Sequence, residues 1–152
     1  MTLDEFFEIG IVVSLGTHVF EAGDIKAFAR KYDPQPFHLD EGAASQSVFG
    51  RLCASGWHTT AVWMKRNLAT PGPKWDGPGP GPVFGPSPGF TNLKWLKPVY
   101  AGDTVAFSRT ALSHRSMSSR PGWRILNTHA DGTRPDGAKV IEFICAVLVQ
   151  VE

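Results

Sequence analysis

Between Tyr32 and Thr59 the chain reads YDPQPFHLDEGAASQSVFGRLCASGWHT, which places a carboxylate, Asp33, ahead of an imidazole, His38, in a proline-rich bend. Spacing alone decides little, because Asp-Pro starts turns for conformational reasons and a lone histidine is more often structural than catalytic. Pro34 and Pro36 add weight to it. They fix φ at two positions and bias Asp33 and Gln35 toward extended backbone, so the segment has few ways to bend. A stiff bend that aims a carboxylate and an imidazole at one point can hold a water or a substrate carbon between them, as general acid–base catalysis requires.

A second chemical feature follows at Ala54-Ser55-Gly56, where the longest helical pattern begins. Amides at a helix N-terminus lack intrahelical partners, and Gly56 permits close approach, so a carbonyl oxygen gaining negative charge can be stabilised there. Ser55 fits the N-cap of that helix. His58 could point into the same site, but its direction suits packing equally well. His18, His114 and His129 are scattered over expected strands, and Asp33 with His38 supplies two metal ligands at most, so no metal site is predicted. No phosphate-cradling glycine loop, G-x-S-x-G elbow or base-activated cysteine is present. Lys94, Lys97, Arg115, Arg120 and Arg124 are candidates for a basic rim around phosphates, or ordinary solvated strand residues.

The elements that must position these groups form one domain over residues 1–152, the length of a single ordinary core. A strand is expected around Thr17 to Phe20, then a short helix through Ile25, Ala27, Phe28 and Ala29 that ends before Asp33-Pro34. The Asp33–His38 segment reads as a connector, and Asp40 opens another helical turn closed by Gly50. Over residues 54–70, Ala54, Trp57, Ala61, Met64 and Leu68 recur as the apolar stripe of a buried helix, widened by Val62 and Trp63. Residues 71–89 hold seven of the twelve prolines and six of the sixteen glycines, which demands an extended loop; Trp75, Val83 and Phe84 suggest that it packs over something. Four strands follow, within residues 90–99, 103–112, 123–130 and 139–152. In the last, the odd positions from Ile141 to Val151 are all apolar, and the even positions Ile144, Ala146 and Leu148 only in the middle, so a partner subunit could cover the second face. The class is α+β, a mostly antiparallel sheet wrapped around one long helix.

With 42% apolar and 19% charged residues the composition is globular, and a net charge of +1 gives no overall field for nucleic acid or an anionic membrane. Cys53 and Cys145 are too few for a disulfide framework or thiolate metal site and read as reduced, buried small hydrophobes. The N-terminus carries Asp4, Glu5 and Glu8 with no basic leader, and its apolar run is too short to span a bilayer, so a cytoplasmic protein is expected.

The stretch FARKYDPQPFHLDEGAASQSVFGRLCASGWHT resembles the hydratase motif of the MaoC-like family of hot-dog proteins, which includes the (R)-specific enoyl-CoA hydratases. That motif is approximately F-A-x-x-x-G-D-x-N-P-x-H-x-D followed by F-G-x-x-I-A-H-G-M. LKWLKPVYAGDTV, from Leu93 to Val105, resembles the family's later R-F-x-x-P-V-x-x-G-D-T stretch, in the right order. The resemblance implies a hot-dog fold, a homodimer or higher homo-oligomer, and reversible hydration of 2-enoyl-CoA with no cofactor beyond the coenzyme A of the substrate. It places the acid–base pair on Asp33 and His38 and the oxyanion-binding amide on Gly56. His38 is assigned as base and Asp33 as donor, the reverse also satisfying the chemistry. The chain departs from the pattern at Tyr32 for Gly, Gln35 for Asn and Ser55 for His; Ser55, Gln35 and Trp57 then bear on substrate binding. A hot-dog thioesterase, or an acyl-CoA-binding domain without turnover, would use the same features.

Overall fold

The computed structural model describes residues Met1–Glu152. Its frame is a sheet in which β1 (Val12–Val19), β4 (Thr104–Ser116), β5 (Trp123–Thr133) and β6 (Lys139–Gln150) lie side by side, every pair antiparallel. The far edge of β6 is shared by β2 (Val83–Phe84), which pairs near its end, and β3 (Gly89–Trp95), which pairs near its start. β3 carries an irregularity between Thr91 and Lys94, with Asn92 at φ 56°, a left-handed conformation that asparagine tolerates better than most residues.

The period-2 pattern of β6 explains how the sheet is covered. Ile141, Phe143 and Cys145 join the main core, built on Trp63, Phe20, Ile25, Val105 and Phe107. Val147, Val149 and Val151 lie on the same side of the strand but belong to a second cluster with Phe7, Ala111 and Leu126. One concave face therefore has two covers in series. The first is α5 (Gly56–Ala69), which buries His58, Thr59, Val62 and Trp63; Trp63 donates Nε1–H to the Ser108 carbonyl at 2.9 Å and meets Phe143 edge to face. The second is α1 (Leu3–Phe6) with the segment after α5, joined where Arg109 on β4 donates to the Thr70 and Asn67 carbonyls at the C-terminus of α5. A guanidinium there satisfies carbonyls that have no intrahelical partner.

α1 has no expected counterpart; a capping box between Thr2 and Glu5 starts it. The proline- and glycine-rich segment is packed, as its aromatic residues suggest. Phe6 contacts both Trp75 and Phe84, and a Cβ on Gly77 or Gly81 would lie 2.3 Å or 2.7 Å from the Trp75 ring. Those glycines let the chain fold closely around the indole. β2 gives the segment one short stretch of ladder hydrogen bonding, beyond the bare loop expected.

Two expectations are corrected. The Asp33–His38 connector contains a helical turn, α3 (Pro36–Leu39), because Pro36 sits at the first helical position, where a missing N–H removes nothing. On α5 the row Trp57, Ala61, Met64 and Leu68, whose spacing marks it as the buried stripe, lies outward; Leu68 is 78% exposed. The stripe through His58, Thr59, Val62 and Trp63 meets the sheet instead. Both faces of the helix are apolar, so periodicity alone could not tell which one the sheet would take. The even positions of β6 are half-buried beside Ile125, Asn127 and His129 of β5. No helix is long and apolar enough to cross a membrane.

Candidate functional site

Three short pieces of chain converge on Asp33. α2 (Ala22–Tyr32) ends at Asp33, whose N–H bonds the Ala29 carbonyl. α3 follows after Gln35 and holds His38, which is 6% exposed. The strand-like segment Leu52 to Ser55 closes the arrangement: Ala54 N–H donates to the Val99 carbonyl, Ala101 N–H to that of Leu52, and Cys53 bridges Tyr100. This last contact ties the start of α5 to the turn before β4, so the second motif of the sequence supports the first.

The carboxylate of Asp33 is held at both oxygens. Gln35 Nε2–H donates to Oδ1 at 2.6 Å and the buried Ser55 hydroxyl donates to Oδ2 at 2.7 Å. His38 Nε2 lies 3.4 Å from the same Oδ2. Burial alone would raise the Asp33 pKa, but the Ser55 and Gln35 hydrogen bonds and the charge of His38 outweigh it and hold the carboxyl below its ordinary value. On the other side of the ring, His38 Nδ1 lies 2.6 Å from the Cys53 carbonyl, which can only accept, so Nδ1 carries a proton. That leaves Nε2 as the ring nitrogen facing the Asp33 carboxylate.

Ser55 performs both duties open to it: it caps α5 by accepting from Trp57 N–H at 3.3 Å and it orients Asp33. The adjacent Gly56 N–H donates to no group in the chain. Asp33, His38, Ser55 and Gln35 are thus joined in one constellation beside a free helix-terminal amide, where the helix dipole favours developing negative charge. Trp57 is set apart; it is 47% exposed and lines an apolar groove of about 290 Å³ with Thr60, Ala61, Met64, Phe90 and Phe143.

One member of this site escaped the sequence. The indole of Trp95 lies against Gly56, where a Cβ would stand 2.2 Å from its Cδ2, and it donates Nε1–H to Thr60 Oγ1 at 3.2 Å. Its only signal is its place inside the LKWLKPV stretch. Of the basic candidates, Lys94 and Lys97 flank Trp95 in the chain. Arg115, Arg120 and Arg124 are not at the site: Arg115 lies roughly 35 Å further along β4 than the turn before it, Arg120 stacks on Trp123, and Arg124 bonds His114 and Ser116.

His58 is a packing residue, stacked on Phe28 and edge-on to Phe20, with Nδ1 buried and unpartnered. Burial, reinforced by His18 and opposed by Asp24, pushes its imidazole down to about 4. Cys53 is inert, its thiol pushed up to about 11 by burial.

An antiparallel sheet curled around one helix defines a hot-dog protein, here with a carboxylate–imidazole pair at the N-terminus of that helix. The chain belongs to the MaoC-like family: the MaoC like domain model matches residues 8–121. It is 34% identical over 109 residues to the uncharacterized protein YdeM of Bacillus subtilis (strain 168), covering 69% of each chain. The crystal structure of the MaoC-like dehydratase from Rhodospirillum rubrum superposes with a TM-score of 0.77 at 36% identity, over 95% of this chain and 93% of that one. The (R)-hydratase from A. caviae involved in PHA biosynthesis shares the fold, with a TM-score of 0.66 at 22% identity over 95% and 96% of the two chains.

Two outcomes follow from these environments. Replacing Ser55 by Ala removes a donor to the ionised Asp33 and should raise its pKa, read by NMR titration of the carboxyl carbon; an unchanged midpoint would show that the hydroxyl does not hold the charge. His58 takes up its proton less readily folded than unfolded, so stability is lost as pH falls from about 6.5 toward 4. His58→Phe should reduce the loss between about pH 7 and pH 5 by roughly 2 kcal/mol, measured by denaturant unfolding at both pH values; parallel curves for the two proteins would contradict it.

Proposed function

We propose that this chain is a reversible hydratase of 2-enoyl thioesters, acting on coenzyme A esters through one hot-dog domain spanning the chain. The observation that carries this reading is the Asp33–His38 pair, with Nε2 3.4 Å from Oδ2 and Nδ1 on the Cys53 carbonyl, beside the unpartnered Gly56 N–H. The thioester oxygen sits against that amide, which stabilises the enolate-like charge formed when the C3 carbon is attacked. A water held by the pair supplies the nucleophile.

The geometry favours Asp33 as the group that takes the proton of water. Its carboxyl is ionised and accepts from Ser55 and Gln35, and it has no proton to give in that state. As the water oxygen bonds C3, one of its protons passes to Asp33, and His38, acting from its doubly protonated form, gives the Nε2 proton to C2, completing the 3-hydroxyacyl thioester. The proton now on Asp33 returns to Nε2, and the pair is restored. Dehydration runs the same steps backward. Gln35 and Ser55 are positioning residues for the carboxylate.

We also propose that the protein works as a homodimer, the partner covering the outward apolar row of α5. Leu68, Val83 and Phe84 are all more than half exposed, and β3 leaves one edge unpaired within the chain, so helix face and strand edge together offer a self-complementary surface. This places the contact on α5 and β3 rather than on the outer face of β6. Leu68→Glu should shift the protein toward monomer in light scattering; a monomeric wild type would overturn the pairing.

The chemical reading is tested by incubating the wild type and His38→Ala with crotonyl-CoA. The wild type should bleach the enoyl absorbance without releasing thiol, and the variant should be slower by about two orders of magnitude or more. Stoichiometric free thiol would make the protein a thioesterase, and an unimpaired variant would remove His38 from the mechanism.

A further inference from the structure

Along α5 three features follow one another. At its N-terminal end Ser55 binds Asp33. Over its first turn lies the Trp95 indole, against Gly56 and bonded to Thr60, whose own hydroxyl donates to the Gly56 carbonyl at 2.8 Å. Beyond it runs the apolar groove whose helix side is Trp57, Thr60, Ala61 and Met64, and whose opposite wall includes Phe90, Phe143 and Cys145. Thr60 belongs both to the groove and to the anchor of the indole. Trp57 meets Trp95 at a centroid distance of 4.8 Å and an interplanar angle of 82°, an edge-to-face contact that braces the indole from the groove side.

Along α5 the indole therefore stands between the Ser55–Asp33 contact and the apolar groove, held by two residues, Trp57 and Thr60, that line it. An acyl chain whose thioester oxygen reaches the Gly56 amide has the Trp95 ring in the way of that groove. Moving the ring gives up one hydrogen bond, one aromatic contact and its packing on Gly56, each modest singly. Within one chain the ring is 44% exposed, at the end of the strand whose edge is assigned above to the partner.

We infer that Trp95 is the acyl-length determinant of this protein: with the indole seated on Gly56 the site takes short acyl chains, and longer chains bind only by displacing it into the space outside the groove. This rests on the thioester reading above, and it assigns to Trp95 a role in specificity rather than in proton transfer. Gly56 then has a second reason to be glycine, since any Cβ would unseat the indole.

The test compares wild type, Trp95→Ala, Trp95→Phe and Thr60→Val on crotonyl-CoA and 2-decenoyl-CoA. Trp95→Ala should raise the decenoyl-to-crotonyl ratio of kcat/KM by about tenfold or more, the scale on which apolar pockets discriminate chain size. Thr60→Val keeps the ring but removes its anchor, and should move the ratio the same way by less; Trp95→Phe covers the case in which the alanine variant folds poorly. Calorimetric binding of butyryl-CoA and decanoyl-CoA, which have no double bond to hydrate, gives a second readout: affinity for decanoyl-CoA should rise in Trp95→Ala while that for butyryl-CoA stays level. A ratio and a binding preference that are the same in all four proteins would overturn the assignment to Trp95. A wild type that binds these esters and never hydrates enoyl-CoA would sink the hydratase reading alone, leaving the binding preference to decide the role of Trp95.

Discussion

The hydrogen bond from His38 Nδ1 to the Cys53 carbonyl determines what the rest of the site can do. By fixing the proton on Nδ1 it leaves Nε2 as the only nitrogen that can exchange a proton, and it points that nitrogen at Asp33. The acceptor is a backbone carbonyl, so no side-chain substitution at position 53 removes it, and its position depends on the ladder linking Leu52 and Ala54 to Ala101 and Val99. The tautomer of His38 is thereby coupled to the docking of α5 against the start of β4. The two motif stretches of the sequence are the two sides of this one contact, which explains why the second contains little chemistry of its own.

Backbone also sets the division of labour. The carboxylate and the imidazole come from short, stiff pieces, the end of α2 and the turn of α3, where proline restricts the conformations available to each side chain. The amide for developing charge comes from the long helix, whose dipole and free N-terminal N–H groups need length to exist. Ser55 joins the two, because one hydroxyl accepts from the helix and donates to the carboxylate.

Much of this was legible in the residues. Asp33, His38, Ser55 and Gly56 could be named because proline restriction and helix-start chemistry are local effects, and local effects survive in a linear sequence. The outward row of α5 was misjudged for a different reason: amphipathic spacing finds an apolar stripe without saying what covers it, and on this helix the more regular stripe is the one the chain leaves open. Trp95 was illegible because its importance comes from a contact with Gly56 across the fold, between β3 and α5, and neither residue's neighbours announce it. The packing of Trp75 against Phe6 was visible only as aromatic residues out of place in a proline-rich segment.

The two covers of the concave face have different consequences for the site. α5 must present its N-terminus to Asp33 while leaving room beside it, and so it cannot also fill the whole face of the sheet. The remainder, around Val147 and Val149, is closed by α1 and the segment wrapped on Trp75, whose aromatic contacts are far from the chemistry in chain order but free α5 from that task. An open groove beside α5 is stable in water only if the rest of the core is sealed without it. The proline-rich segment is therefore the element that frees the outward face of the helix from the chain's own core.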